Sequence, residues 1–529
     1  MGKKLFTFAL ALLGCFTGAF AQWNTNANPV KLIDAMGHGD YYVCSPKFAR
    51  TTDGKTWISY KIWESKTVND TASIFLGTHT FLQLIDAEGK KVFDNPICVN
   101  PNYPTCTWWS DYALAVDKDG NAIVTVADSR SDKSEIYGTE ADTAVYHSFQ
   151  AAVYKVSQEG DLLWGLDGIT YPKYQYAPYT NLAIIGDDVY FQFTDISDNN
   201  AGTYIERISP DGVPAWETPK RLYGQIVPST GTDFLCFDES GDGVRVTRYT
   251  RDLDPVWETT YDSCFYGAHN LHPYKIAVDG EGGAAVAFVR NMGQFSHNIR
   301  LQHITADGET TFGLYGIDTY EPEEYDHDYA GIAVNTKNKE ILVNWEDKLG
   351  TFTFTQTIGK YDFDGNRYWG NTGIHIAEKD SPSGYAFSTV GQAALADSSW
   401  IVVYNDVAGW GDMSLVIKRI DANGKQMWRK VIGRNIFVDE AQVFSDPEWT
   451  YVFWREESDG KEGIDVIRIH NTDGKFKSDG STTGIREAEP AEAPVAGYYS
   501  IDGKRLSTPQ RGINIVKYTD GTTEKKVVR

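Results

Sequence analysis

The residues of this 529-residue chain best suited to chemistry gather in a few irregular stretches rich in histidine, aromatic rings and carboxylates. They are DAMGHGDYY (His38, Asp40, Tyr41, Tyr42), NPNYPTCTWWSDY (Tyr103, Trp108, Trp109, Asp111) and YPKYQYAPY (Tyr171, Tyr174, Tyr176, Tyr179). YGAHNLHPY (Tyr266, His269, His272, Tyr274) and YEPEEYDHDY (Glu321, Glu324, Tyr325, Asp326, His327, Asp328) follow, and Trp410 stands apart. Flat rings cover the C–H faces of sugars, and charged groups beside them fix hydroxyls. The candidate ligand-binding set is therefore His38, Tyr41, Trp108, Trp109, Tyr174, Tyr176, His269, His272, Tyr325, His327 and Trp410. Further charges close neighbouring apolar runs: Glu64, Asp128, Arg130, Asp195, Arg290, Glu346, Asp347, Asp406 and Glu456. A pair such as Asp128 with Glu346 would suit glycoside cleavage, where the separation of the two carboxyls decides. No catalytic residue is assigned on sequence. The oxygens of Glu321, Glu324, Asp326 and Asp328 are of the kind calcium takes. An acidic solvated loop is the favoured reading of that stretch, so no cofactor is expected.

Something rigid must hold these stretches in place. Apolar runs rich in Val, Ile, Tyr, Phe and Trp alternate with Asp-Gly turns along the chain, the pattern of antiparallel hairpins. Two hairpin types alternate. One is apolar, turn, apolar, and ends near a charge, as in ALAVDKDGNAIVTVAD. The other is a phrase ending in Gly-x-x-x-Trp: Gly160–Trp164, Gly212–Trp216, Gly365–Trp369 and Gly424–Trp428. Degenerate copies end at Trp257 and Phe312. One hairpin of each type makes a four-stranded unit A-B-C-D, and units repeating every ~40–50 residues or more predict a β-propeller. Counting C–D turns at Gly89, Gly160, Gly212, Asp254, Gly308, Gly365, Gly424 and Gly474 gives eight blades. The weak A–B hairpin of the fourth unit, TDFLCFDESGDG, leaves seven as the alternative. Trp23–Leu32 matches the stretch after a tryptophan phrase, which the last unit lacks, so the N-terminal strand is expected to close the ring. Tight turns then fall on one face. The D–A connections and B–C loops, with the candidate residues, fall on the other. Loops of that length are more often functional than structural.

The tryptophan phrase, best seen in RIDANGKQMW, resembles the repeat of quinoprotein and outer-membrane-assembly propellers. The resemblance covers about 450 residues and implies an eight-bladed scaffold with its tryptophans packed between blades. The adjacent-cysteine pair of the quinoprotein enzymes is absent from the sequence. Thr51–Trp57 (TTDGKTW) resembles a sialidase Asp box but is one residue short, and occurs once. No G-x-S-x-G, H-E-x-x-H or P-loop is present.

The ends carry addresses. Lys3, Lys4, the apolar run Leu5–Leu13 and Ala19-Phe20-Ala21 read as a signal peptide over 1–21, and the apolar run is too short to span a bilayer. Leu12-Leu13-Gly14-Cys15 also resembles a lipobox, a competing reading in which Cys15 is lipidated. The propeller is expected over 22–483, an acidic Pro/Ala-rich linker over 484–495 and a small β domain over 496–529. Tyr499–Leu506, Gly512-Ile513-Asn514-Ile515 and Lys525-Lys526-Val527-Val528 resemble the C-terminal sorting domain of type IX secretion cargo. That resemblance implies export across an outer membrane and a secreted or surface-attached protein, with the secretion machinery as a partner of the tail. Asp70-Thr71-Ala72 and Asp142-Thr143-Ala144 resemble the O-glycosylation sites of bacteria that use this route. A net charge of −23 repels phosphate backbones, so nucleic acid is excluded as a partner. Cys98 and Cys106 flank a Pro-containing loop and are the disulfide candidate; Cys236 with Cys264 is a weaker one. With five cysteines after the signal peptide, at least one thiol is expected to be buried and inert. The reading is a binding module for a glycan or protein on the aromatic face. A glycan-cleaving enzyme on that face, or a non-catalytic scaffold, is the alternative.

Overall fold

The computed structural model describes residues 23–34, 41–67, 73–103, 112–130, 149–197, 199–240, 243–262, 274–293, 296–320, 326–350, 353–376, 389–409, 412–432, 438–458, 461–476, 495–500, 504–518 and 523–528. The chain divides into two compact units, Met1–Lys477 and Ser478–Arg529. Among the described residues no helix is long and apolar enough to cross a membrane.

The first unit is a β-propeller in which eight four-stranded antiparallel sheets follow one another along the chain. Their innermost (A) strands, which number the sheets one to eight, are Tyr41–Arg50, Leu114–Val116, Tyr179–Ile185, Gln225–Pro228, Tyr274–Val278, Asp326–Asn335, Thr389–Ala394 and Val438–Ser445. Sheet four, weakly marked in the sequence, has all four strands, with Phe234–Ser240 and Gly243–Tyr249 at its centre. The outer strand of sheet eight is Val30–Asp34, which pairs with Lys461–His470 (Val30 opposite Val466), so the N-terminal strand completes the last sheet. This covers an edge that would otherwise stay open.

Alternation along the strands sends apolar side chains to both faces of each sheet, and each face is buried against the next sheet. Trp57, Leu82 and Leu84 of sheet one pack with Val124, Val126 and Tyr154 of sheet two. Ile341 and Trp345 of sheet six meet Ala285, Ile299 and Leu301 of sheet five. The seam follows the same rule: Trp23, Leu32, Tyr451, Phe453 and Ile464 pack with Phe48, Ile58 and Tyr60. The eight sheets therefore form a closed ring around a central channel.

The Gly-x-x-x-Trp phrase has a specific packing logic. The tryptophan of one sheet lies on the glycine of the next sheet's C–D turn, and its indole N–H donates to a carbonyl of that turn. Trp369 donates to Ala422 O (3.1 Å), Trp428 to Asn471 O (2.9 Å) and Trp257 to Ala306 O (2.8 Å). A Cβ added to Gly212 would lie 2.6 Å from Trp164, and one added to Gly308 would lie 2.8 Å from Trp257. Both glycines also hold positive φ (+82° and +87°), so glycine is needed there twice over. Trp23 serves sheet eight in the same way: its Nε1 donates to Ala87 O (2.7 Å) and its ring lies against Gly89 of sheet one. In sheet four the turn position falls on Leu253, with Leu253 N donating to Thr250 O, and not on Asp254 as the sequence alignment suggests. Leu253 takes φ of 71° itself and, like Trp216, packs partly buried against one apolar cluster.

The turns opposite the candidate face are held by aspartates. Asp117 Oδ1 accepts from the N–H groups of Asp119 (3.0 Å) and Asn121 (2.8 Å), and Asp362 does the same for Asp364 (3.0 Å) and Asn366 (2.8 Å). These Asp-x-Asp-Gly runs are turns whose oxygens are already used. Asp279 accepts from Glu281 N and Gly283 N and from the buried His303 (3.1 Å). Burial raises the pKa of Asp117 and Asp279, but the hydrogen bonds outweigh it and hold both below the usual carboxylate value of 3.8. A depressed folded-state pKa gives stability that is complete above the unfolded value and lost as pH falls through the folded one. The melting temperature should therefore hold steady at mildly acidic pH and fall steeply below pH 3.8, with a shallower fall in Asp279→Asn. A pH series of thermal melts checks this; equal slopes in both proteins would contradict it.

The second unit contains one four-stranded sheet, ordered Arg505–Leu506, Val495–Ser500, Gly512–Tyr518, Thr523–Val528. Asn514 pins its turn, donating to Gln510 O (2.6 Å) and accepting from Gln510 N (2.9 Å).

Candidate functional site

Among the described residues, His327 is the one candidate whose surroundings form a built site. It is the second residue of the A strand of sheet six, directly opposite Asp347 on the B strand Glu340–Gly350. Both side chains are buried, at 1% and 0% exposure. His327 Nδ1 donates to Asp347 Oδ1 at 2.5 Å, and Trp345 Nε1 donates to the same oxygen at 2.7 Å. The other oxygen accepts from Thr357 Oγ1 on the C strand. Thr357 Oγ1 in turn lies 2.9 Å from Nδ1 of His375, a half-exposed residue on the D strand. A polar chain thus crosses all four strands of one sheet. The Tyr320 ring lies tilted against the His327 ring, 4.5 Å between centroids.

The consequence is chemical. Asp347 uses its two oxygens on three donors, which fixes the proton of a neutral His327 on Nδ1 and the ring's orientation with it. Nε2 then carries the lone pair, is buried, and has no hydrogen-bond partner among the described residues. A buried polar atom without a partner costs ~1–3 kcal/mol, a cost that a ligand donor would offset.

Of the other carboxylates at the ends of B strands, Asp128 and Asp406 are paired with arginines of their own sheets. Asp128 takes Arg130 Nε (2.9 Å) and Nη2 (2.7 Å), while Arg130 Nη1 donates to Asp167 O (2.7 Å) and the guanidinium lies over the Tyr103 ring at 4.8 Å. Asp406 takes Arg429 (3.3 Å). Asp195 Oδ1 accepts from Ser197 N (2.8 Å), and its Oδ2 is buried without a partner. Glu346, opposite Asp328 in the register, is buried on the B strand of sheet six. Asp128, Asp195, Asp347 and Asp406 stand on four different sheets.

The aromatic candidates divide. Tyr174 is packed between sheets two and three, with its ring 4.4 Å from Tyr204 and 5.1 Å from Phe193. At 3% exposure it offers no face to a ligand, a correction to its place in the binding set. Burial raises the pKa of its phenol. Tyr176 is half-buried, edge-on to Phe149 at 5.1 Å, with its carbonyl accepting from Ile196 N. Tyr179, the first residue of the A strand of sheet three, is 40% exposed at the channel mouth. Tyr41 is placed by its backbone opposite Glu64. His38, Trp108, Trp109, His269, His272, Tyr325 and Trp410 lie outside the described residues, as do Asp70-Thr71-Ala72 and Asp142-Thr143-Ala144 as motifs. Of the disulfide candidate, Cys98 ends the D strand of sheet one and Cys106 lies outside the described residues, as does Cys264. Cys236 is a buried free thiol that donates to Tyr223 O, and burial pushes its pKa to about 12. Among the described residues no group of three His, Cys, Asp or Glu is placed to hold a metal. Trp57, from the Asp-box-like stretch, is fully buried and donates to Gly120 O of the neighbouring turn (2.9 Å).

No family model matches the chain, and no curated relative matches it. Among solved structures the chain is similar to a protein of unknown function from Dyadobacter fermentans, at 10% identity over 83% of this chain and 98% of that one, with a TM-score of 0.36. It is similar to the polysaccharide lyase Uly1 at 12% identity over 86% and 98%, with a TM-score of 0.39. It is also similar to the NanB sialidase from Streptococcus pneumoniae at 11% identity over 85% and 71%, with a TM-score of 0.34. Likeness at this level carries no argument about this chain.

Proposed function

We propose that the chain is a secreted or surface-attached module that binds a glycan or a protein through the D–A/B–C face of its propeller. The observation that supports this reading is the state of the rim carboxylates. Asp128 and Asp406 are paired with arginines of their own sheets, and Asp347 is filled by three donors. A glycosidase needs two carboxyls facing one bond, ~5–10 Å apart. A recognition surface needs fixed groups and one or two open polar atoms among apolar surface. His327 Nε2 is a fixed polar atom without a partner among the described residues, covered in the free protein, and Tyr179 supplies an exposed ring. The signal-peptide reading of 1–21 and the sorting-domain reading of the tail support export by the type IX route.

One observation favours the enzyme reading: a carboxylate-oriented imidazole with an open Nε2 is also how a general base is prepared. A glycan and peptide array probed with the full chain, followed by product analysis of every retained glycan, separates the two. Saturable binding without new reducing ends or unsaturated products is expected. Turnover would replace the binding reading with the enzyme one, and neither binding nor turnover would leave the scaffold.

A further inference from the structure

Strand register lines up the channel wall layer by layer. In each sheet the A and B strands meet at a last pair before their turn: Arg50 with Thr56 in sheet one, Pro228 with Phe234 in sheet four, Val278 with Ala284 in sheet five and Ser445 with Thr450 in sheet eight. Three residues before that pair stand Lys47, opposite Ser59, and Lys275, opposite Ala287. Gln225, opposite Phe237, and Gln442, opposite Phe453, hold the same position. In sheets two, three, six and seven that position falls on Ala113, Leu182, Ile332 and Gly391. Read around the ring, the layer is Lys, Ala, Leu, Gln, Lys, Ile, Gly, Gln. It repeats after four sheets as Lys, apolar, apolar, Gln, so the two lysines oppose each other across the channel and so do the two glutamines.

These side chains are open to the channel. Gln225, Lys275 and Gln442 are exposed and Lys47 is half-exposed, all on innermost strands, whose free side is the channel. Neither lysine has a carboxylate partner among the described residues, although the chain carries a net charge of −23. The Tyr112 ring centroid lies 5.8 Å from Lys47 Nζ. The surrounding protein wall, and then the Lys47 charge, lower the pKa of Lys275. Two unpaired ammonium groups in one channel are costly when the channel holds water alone, and an anion between them removes both the desolvation and the repulsion.

We propose that this layer is an oxyanion site, with Lys47 and Lys275 supplying charge and the Gln225 and Gln442 amides, each on a sheet next to a lysine's, supplying hydrogen bonds. The ligand class is a sulfate, phosphate or carboxylate group, either free or carried by an acidic glycan threading the channel. The site is separate from the His327 rim and stands whether that face binds or cleaves.

The test uses the full chain and inorganic sulfate, inorganic phosphate and oligogalacturonate as probes, each against chloride at equal ionic strength. Calorimetry should detect saturable binding of at least one probe, with affinity at least tenfold weaker in Lys47→Gln/Lys275→Gln and reduced in Gln225→Leu/Gln442→Leu. Tighter binding of oligogalacturonate than of the inorganic anions assigns the glycan-borne carboxylate; the reverse assigns a free anion. The lysine double variant should melt no lower than the parent without ligand, because it removes a repulsion. Lys118→Gln, a surface lysine paired with Asp187, should leave binding unchanged. Absence of saturable binding for all three probes, or equal affinity in the lysine double variant, overturns the site.

Discussion

Trp23→Ala should destabilise the first unit by ~3–5 kcal/mol, the usual range for removing a buried Trp, and should do so at the seam of the ring. Trp23 is 6% exposed, packs at 5.0 Å from Tyr451 of sheet eight, and sits on Gly89 of sheet one. Its indole hydrogen bond to Ala87 O joins segments 64 residues apart. The N-terminal strand behind it has few other ties: five residues, Val30–Asp34, with an irregular register after Lys31. Asn24 adds two backbone hydrogen bonds to Arg468, donating to its carbonyl (3.0 Å) and accepting from its N–H (2.6 Å). Trp164, which makes the equivalent contact between sheets two and three, is half-buried, with a longer bond of 3.3 Å. Its replacement by alanine should cost about 1–2 kcal/mol, in the ordinary range for partial burial. Chemical denaturation of the two variants measures the difference. Equal losses would show that the ring does not depend on its N-terminal closure.

The second large effect is expected at Asp347. Asp347→Asn keeps the shape but replaces one acceptor oxygen by an NH2 group, set among donors from His327, Trp345 and Thr357. At least one of these buried donors loses its acceptor, and a histidine that gains a proton loses its counter-charge. Breaking a buried pair this way costs ~3–5 kcal/mol. It also frees the His327 ring to place its proton on Nε2, which turns the open acceptor into a donor. A ligand that donates to His327 should therefore lose affinity in Asp347→Asn beyond what the lower stability explains, at temperatures where the variant is fully folded. Imidazole nitrogen chemical shifts report the tautomer directly. An unchanged Nδ1–H tautomer in the variant would remove this link between Asp347 and the rim.

The fold was legible because its signals are local and repeated. Asp-Gly turns, alternating strands and the Gly-x-x-x-Trp phrase each recur sheet after sheet, and even the closing strand was visible as the missing end of the last repeat. Leu253 escaped because a leucine at positive φ leaves no mark in the sequence, and a neighbouring aspartate mimicked the turn residue. The site was less legible. His327 was marked in a histidine- and carboxylate-rich connection and Asp347 as a charge closing an apolar run, yet only the cross-strand register shows that they touch. Tyr174 was misread because composition cannot say which tyrosine of a Tyr-rich loop turns inward. Lys47 and Lys275 carried no motif at all. They become visible only when every A strand is counted back from its turn, which requires the pairing to be known.

Affinity of His327→Gln for whichever array ligand the parent retains tests the account's central claim most directly. Gln keeps a donor for Asp347 but has no ring Nε2, so the variant should melt near the parent and bind at least tenfold more weakly, a loss of ~1.4 kcal/mol or more. Parent-like affinity in a folded His327→Gln protein would contradict the claim that this face recognises its ligand through the open nitrogen of His327.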